Sequence, residues 1–444
     1  MNTEEQKVSI VGLGYVGLPL AVLTRSKSYE VTGIDLDIEK VDMIQNGNVP
    51  FIDKELSKQL KIYPIVAQSN YDNVASANII IVCVPTPVDA DFMPDLSIVK
   101  SVCNEIGSRL QKNQLVIIES TINPGVCDDV IIPILERQSK MKCGRDFYLA
   151  HCPERINPGD KNWNVSNIPR VVGANDHVSL KKSVSFYESI ISGLVKPMDS
   201  IKEAEAVKVV ENSFRDINIA FVNELAMSFS MLGIDVVNVI DGAATKPFAF
   251  MPHYPGAGVG GHCIPVDPYY LIEYAKSKGF THRFLNVARE INNGMPQFVV
   301  QMLQEAILEY NQKNRENIIT TKDLQLTMLG LSYKPNVGDL RESPALKITS
   351  LLSEQYARVL VQDPYIDTTV KDFSQLHNVR IVKSISDALK GSRAIIIATA
   401  HNEYLDLDFS LLAKNGIEII IDGRNCLDKH KVEDVGIVYK GIGR

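Results

Sequence analysis

No stretch of this chain stays apolar over the roughly 20 residues that a bilayer-spanning helix needs, and residues 1–6 carry no basic segment leading into an apolar run and a cleavage site. A soluble, cytoplasmic protein with no membrane partner is expected. Dense blocks of Lys and Arg are also missing, and the formal net charge is −7. That balance excludes the basic footprint of a nucleic-acid binder. The seven cysteines, Cys83, Cys103, Cys127, Cys143, Cys152, Cys263 and Cys426, lack the paired short spacings of a disulfide framework or a zinc site. Reduced thiols and no metal are therefore predicted. With 444 residues and 45% hydrophobic content, the chain exceeds one ordinary core and divides into two or three domains.

The apolar runs that are present are short, and amphipathic stretches separate them. Val8–Val11, Val31–Ile34, Ile79–Val84 and Leu115–Glu119 read as strands in a parallel sheet covered on both faces, a pattern that continues through Phe147–Ala150 and Arg170–Gly173. From Ile201 to about Leu232 glycine and proline almost vanish, and Ala204, Val207, Lys208, Glu211, Asn212 and Arg215 recur at helical spacing. A long helix is predicted there, serving as a spine and a dimer seam. Helical patterns resume at Pro268–Ser277 and Phe284–Tyr310. After the polar stretch Asn311–Lys322, strands return at Leu326–Leu329, Val359–Gln362, Ala394–Ala398 and Glu418–Ile421. The expected class is α/β, with two Rossmann-like doubly wound domains joined by the long helix and a helical middle domain. The boundaries fall at 1–199, 200–310 and 311–444. Ligands are expected at the carboxyl ends of the strands.

Gly12-Leu13-Gly14-Tyr15-Val16-Gly17 follows the first strand and opens a helix, and Asp35 ends the second strand. The first glycine allows a tight turn, the second lets a pyrophosphate reach backbone N–H groups, and the third lets helix pack on strand. Asp35 suits the adenosine ribose hydroxyls and disfavours a 2′-phosphate, so NAD is expected; Lys40 is the one nearby cation. Two more strand-ending loops, Val84-Pro85-Thr86-Pro87 and Glu119-Ser120-Thr121-Ile122-Asn123-Pro124-Gly125, are placed to face the same cofactor, with Thr86, Ser120 and Thr121 offering hydroxyls.

Cys263 stands in Gly260-Gly261-His262-Cys263-Ile264-Pro265-Val266-Asp267, where glycines bare the backbone and a carboxylate follows four residues on. That setting gives a thiol access and polar neighbours, as a nucleophile requires. Glu154 and Arg155 follow another strand end, and Lys208 and Asn212 lie four apart on one helical face. A thiol beside a nicotinamide site suggests oxidation of an alcohol through an aldehyde, a thiohemiacetal and a thioester to a carboxylate. Lys208, Asn212, Asp267 and Glu154 are residue types that supply a base, oxyanion donors and activation of water.

Together these marks make the chain resemble the UDP-glucose/GDP-mannose dehydrogenase family over nearly its whole length. They are Val11 to Pro19, Glu119-Ser120-Thr121, Lys208 with Asn212, the Gly-Gly-His-Cys run, and Tyr333-Lys334-Pro335 leading to Asp339-Leu340-Arg341-Glu342-Ser343. The resemblance implies two NAD-dependent oxidations at C6 of a nucleotide sugar, with Cys263 as nucleophile and Glu154 as acid/base. Lys208 and Asp267 would serve the oxyanion and the catalytic water, with Thr121 holding water nearby. It places the loop Tyr254-Pro255-Gly256-Ala257-Gly258-Val259-Gly260 against the sugar nucleotide, Lys334 and Arg424 on the UDP end, and Arg341 toward NAD. Arg155-Ile156-Asn157-Pro158-Gly159-Asp160 after the catalytic Glu, with His262 and Pro265 to Tyr270, resembles the UDP-N-acetylhexosamine branch. The expected reaction is UDP-N-acetylglucosamine to UDP-N-acetylglucosaminuronate for a surface polysaccharide. The alternatives are the mannosamine and galactosamine epimers, UDP-glucose, or a non-catalytic nucleotide-sugar-binding regulator. A homodimer or higher homo-oligomer is expected, although Lys246-Pro247-Phe248 stands where some members carry an arginine inserted from a neighbouring subunit.

Overall fold

A computed structural model describes residues 6–51, 53–89, 93–156, 162–261, 263–368, 373 and 376–444. They form two compact units, one of residues 1–211 with 266–281 and the other of residues 212–265 with 282–444. The division falls within the continuous helix Ile201–Leu232, which matches the extent read from the sequence.

The first unit is built on an eight-stranded sheet. Its strands are β1 (Lys7–Val11), β2 (Glu30–Ile34), β3 (Val66–Gln68), β4 (Ile79–Val82), β5 (Leu115–Ile118), β6 (Tyr148–His151), β7 (Arg170–Ala174) and β8 (Val195–Pro197). The spatial order is β3-β2-β1-β4-β5-β6-β7-β8. Both faces are covered, which explains the unbroken apolar runs: Ile79, Ile81, Leu115 and Ile117 pack into one apolar cluster. Their neighbours Ile80, Val82, Val116 and Ile118 pack into another. Side chains that alternate across a sheet must all be apolar when neither face meets water.

One expectation fails here. The sheet is parallel only as far as β6, because β7 pairs antiparallel to it, with Ala150 opposite Ala174 and His151 opposite Gly173. An antiparallel partner needs no crossover helix, and no helix lies between β6 and β7 among the described residues. The reversal puts the first residue of β7, Arg170, at the edge of the sheet where β5 and β6 end.

The second unit holds six parallel strands, β9 (Gln325–Leu329), β10 (Arg358–Gln362), β11 (Val379–Val382), β12 (Ala394–Ile397), β13 (Ile419–Asp422) and β14 (Val438–Gly441). Their order is β11-β10-β9-β12-β13-β14. Strand order thus reverses direction between β9 and β12, as it does between β1 and β4. Such switch points open a crevice at the strand ends. The short strands β3, β8, β11 and β14 escape a sequence reading because three or four residues carry too little pattern.

The two sheets share a local device that their sequences do not advertise. Gly12 follows β1 at φ 94° and Gly330 follows β9 at φ 91°, a left-handed turn that glycine makes without strain. In each case the carboxylate ending the next strand accepts the following backbone N–H: Leu13 to Asp35 Oδ2 at 2.8 Å, and Leu331 to Asp363 Oδ2 at 2.7 Å. Asp363 is further enclosed by the Ser332 N–H and hydroxyl and by His401 at 3.0 Å.

Burial opposes the charge on Asp363, but the His401 and backbone N–H contacts outweigh it and hold the carboxyl down at about 2. A depressed carboxyl stabilises the fold above its unfolded pKa of about 4, and that contribution is lost as pH falls through the folded value. Asp363→Asn is therefore expected to cost most stability near neutrality. In denaturant melts, its difference from the unmodified chain should shrink as pH drops from about 4 toward about 2. A pH-independent difference would show that Asp363 acts only by packing.

Candidate active site

The glycine turn after β1 forms the cradle expected of a dinucleotide site. A methyl group added at Gly17 would lie 1.9 Å from the Gly12 carbonyl oxygen, whereas one at Gly14 meets nothing within 4 Å. The third glycine is thus required by packing, and the second leaves open space beside the turn. Helix Gly17–Ser26 has no side-chain cap at its start, the condition under which a helix N-terminus can receive an anion. Asp35 is not an isolated carboxylate, for Lys40 Nζ sits 2.9 Å from Oδ2. Tyr15 stacks its ring 4.3 Å from that of Phe51.

The loops after β4 and β5 are tied together. Thr86 donates its hydroxyl to the Thr121 carbonyl at 2.7 Å, and Ser120 donates to the Val84 carbonyl at 2.7 Å. Both hydroxyl protons are spent within the protein. Pro85 lies between these contacts, and Thr121 is half-buried. Tyr270, from the helix Asp267–Ser277 that begins with the buried Asp267, donates to the Thr86 carbonyl at 2.7 Å. Underneath, the fully buried Glu205 on the long helix accepts the Gly125 N–H at 2.5 Å and the Cys127 N–H at 2.8 Å.

Glu154 is nearly buried, and its Oε1 accepts the N–H groups of Arg155 and Ile156, each at 2.6 Å. Arg155 turns to Glu211 on the long helix and to the Pro169 carbonyl at 3.0 Å. Lys208 and Asn212 are each half-buried rather than fully solvated. Asn157 and His262 lie outside the described residues.

In the second unit the glycine loop packs on residues that lie from 73 to 168 positions further along the sequence. The Gly261 N–H donates to the Arg341 carbonyl at 3.0 Å, and the Ala257 N–H to the Gly423 carbonyl at 3.0 Å. A methyl at Gly260 would collide with Tyr333 Cβ at 2.6 Å, and one at Gly256 would meet the Arg424 guanidinium at 2.8 Å. The Gly256 N–H is held by Asn223 at 3.0 Å. Gly258, at φ 126°, rests near Pro344. Lys334 follows Tyr333 directly, so the loop, Lys334 and Arg424 are assembled in one unit. Arg341 pairs with Asp339 at 2.5 Å. Tyr254 is half exposed and donates to Asp241 at 2.6 Å. Cys263 itself is half-buried. The other six thiols are pushed up, with burial the first cause in every case and Cys103 and Cys143 at about 12.

Domain signatures of the UDP-glucose/GDP-mannose dehydrogenase family match residues 6–191 (NAD binding domain), 202–294 (central domain) and 327–429 (UDP binding domain). The chain belongs to this family. It is an NAD-dependent nucleotide-sugar dehydrogenase. It is 35% identical over 443 residues to the UDP-N-acetyl-D-mannosamine dehydrogenase of Pyrococcus horikoshii, covering 99% of each chain. It is also 35% identical over 430 residues to the UDP-N-acetyl-D-glucosamine 6-dehydrogenase of Pseudomonas aeruginosa, covering 96% of this chain and 99% of that one. A solved UDP-D-ManNAc dehydrogenase from P. horikoshii superimposes with a TM-score of 0.89 at 33% identity, covering 99% of both chains. No helix among the described residues of the dehydrogenase is long and apolar enough to cross a membrane.

Several residues that organise the dehydrogenase's site escaped the sequence reading. Arg170 is fully buried with its guanidinium 3.0 Å from Glu154 and 3.3 Å from Glu119. Glu205, Asn223 and Tyr187 were likewise unread. A signal existed for Arg170, since an arginine at the head of an otherwise apolar strand needs a buried partner.

Gly17→Ala is expected to weaken NAD binding at least about tenfold, or about 1.4 kcal/mol, because the helix start must move away from Gly12. Calorimetric titration of NAD into the folded variant checks it. Glu205→Ala leaves two buried N–H groups without an acceptor and should cost about 2–4 kcal/mol, read as a lowered denaturant midpoint.

Proposed function

We propose that this dehydrogenase oxidises C6 of a UDP-N-acetylhexosamine by four electrons, converting UDP-N-acetylglucosamine to UDP-N-acetylglucosaminuronate. The observation that carries the reading is the glycine run ending in Cys263, pinned through its backbone to the segment holding Tyr333, Lys334 and Arg341. A thiol at the end of a loop fixed this way suits covalent catalysis, whereas Cys103, Cys127 and Cys152 are buried and serve packing. Support for the acetamido sugar comes from the relatives named above and from Arg155-Ile156 after Glu154. The mannosamine epimer is the second reading, favoured by the match to the P. horikoshii protein across both full lengths.

In this mechanism NAD, when bound at the Gly12–Gly17 turn and Asp35, supplies the hydride acceptor for each oxidation. Lys334, Arg424 and the loop Tyr254–Gly260 hold the UDP-sugar. Loss of a hydride from C6 and of the hydroxyl proton to a base, the role assigned to Glu154, gives the aldehyde. The Cys263 thiolate adds to its carbonyl carbon, forming a C–S bond and an oxyanion that Lys208 and Asn212 stabilise. A second hydride leaves the thiohemiacetal carbon as the thioester forms. Water positioned by Thr121 and activated by Asp267 adds, the C–S bond breaks, and the carboxylate departs.

The three stretches 1–199, 200–310 and 311–444 are proposed to bind NAD, carry Cys263 and the subunit contact, and bind UDP, respectively. Phe214 and Phe221, two turns apart on the long helix, are half exposed and support a homodimer seam.

Limiting UDP-N-acetylglucosamine and UDP-N-acetylmannosamine, run beside UDP-N-acetylgalactosamine and UDP-glucose, are expected to yield about two NADH per sugar with a uronate mass for the true substrate. Cys263→Ser should abolish uronate formation. One NADH per sugar, or a fully active Ser variant, would remove the thioester step.

A further inference from the structure

The sequence offers Glu154 for the proton transfer of the oxidation, and the surroundings of its carboxylate show what holds it in place. Oε1 accepts two backbone N–H groups. Oε2 faces Arg170 Nη1 at 3.0 Å. The same Nη1 stands 3.3 Å from Glu119 Oε2, and Glu119 Oε1 accepts the Tyr187 hydroxyl at 2.5 Å. Arg170 also lies over the Tyr187 ring, 5.7 Å from its centroid. All four side chains are buried. The antiparallel register of β6 and β7 is what brings an arginine to this place: each step forward from His151 is a step back from Gly173, so Arg170 comes level with Glu154.

We propose that Arg170 is the positioning residue for Glu154, holding its carboxylate in place for the proton transfer of the oxidation, while Glu119, anchored by Tyr187, competes for the same guanidinium and limits how strongly Arg170 engages Glu154. This rests on the proposed role of Glu154 in the oxidation. Two backbone N–H groups donate to Oε1 and the Arg170 guanidinium pairs with Oε2, so the carboxylate is held from both sides. One guanidinium charge faces two carboxylates, so neither is fully compensated. Burial, opposed by Arg170 and reinforced by the Glu154 charge, holds the Glu119 carboxyl above its ordinary range. On Arg170, burial works against the charge and the two carboxylates overcome it, raising its pKa. The other titratable groups facing this cluster are Tyr187, Cys152 and Cys83, whose pKa values burial first of all pushes up; each enters as a neutral group.

The prediction is a pair of opposite shifts. Removing the cation and removing the competing anion change the charge facing the Glu154 carboxylate in opposite senses. With saturating NAD and whichever nucleotide sugar of the panel turns over fastest, Arg170→Met should reduce kcat about 100-fold and move the acidic limb of the kcat–pH profile to higher pH. Glu119→Gln should move that limb to lower pH, with NAD affinity unchanged in both. Arg170→Lys should restore part of kcat, and it also serves if the Met variant fails to fold. In a Glu154→Gln background, the Glu119 and Arg170 substitutions should have little further effect on kcat. Folded variants whose limbs stay in place or move in the same direction, or whose losses persist undiminished without Glu154, would overturn the inference. Because any nucleotide sugar that turns over reports the limb, this outcome is read separately from the sugar specificity and stoichiometry that test the proposed function.

Discussion

Parallel strands buried on both faces leave almost nowhere for polar chemistry except the strand ends, and each unit of this dehydrogenase is arranged under that constraint. Within the first sheet the side chains of β4 and β5 are apolar throughout. The first residues free to be polar are those that leave the sheet at the carboxyl ends. Asp35, Thr86, Glu119, Ser120 and Glu154 all stand at or just beyond such ends. The second sheet repeats the rule, with Asp363, Asp422 and Arg424 just at or past β10 and β13. Chemistry-bearing residues gather there because the interior of the sheet cannot accept them.

The loops above the strand ends bring backbone N–H groups under cover, and buried side chains accept several of them. Glu205 satisfies two N–H groups of the loop after β5, Asn223 holds the Gly256 N–H, and Asp363 takes three donors around the turn after β9. These contacts fix loops whose sequences, rich in glycine and proline, set turns but not their mutual positions. Around Glu119, Arg170 and Glu154 one cation serves two anions. An imbalance of that kind is unfavourable for stability alone and useful where a carboxylate has to remain reactive.

The matched turns Gly12–Asp35 and Gly330–Asp363 show the same physical solution used twice to different ends. In the first sheet the carboxylate pairs with Lys40 and stays partly exposed. In the second, Ser332 and His401 close around it. No residue-level repeat betrays this in the sequence. The spacing between glycine and aspartate differs by ten residues, and only the hydrogen bond they share reveals the correspondence.

The sequence by itself determined the elements with enough length to carry a pattern: the long helix at Ile201–Leu232, the apolar strands, the glycine turn with Asp35, and the motifs around Cys263 and Tyr333. Local periodicity and backbone sterics act over a few residues, so they can be read without the fold. Short strands such as β3 and β14 fall below that length. What only the tertiary structure decided is which distant residues meet: the glycine loop against Tyr333 and Arg424, Thr86 against Thr121 and Tyr270, and Arg170 against Glu119 and Glu154. The last depends on a single reversal of strand direction. A parallel β7 would begin at the opposite edge of the sheet and carry Arg170 away from both carboxylates, and nothing in the apolar run that follows Arg170 records which way the strand points.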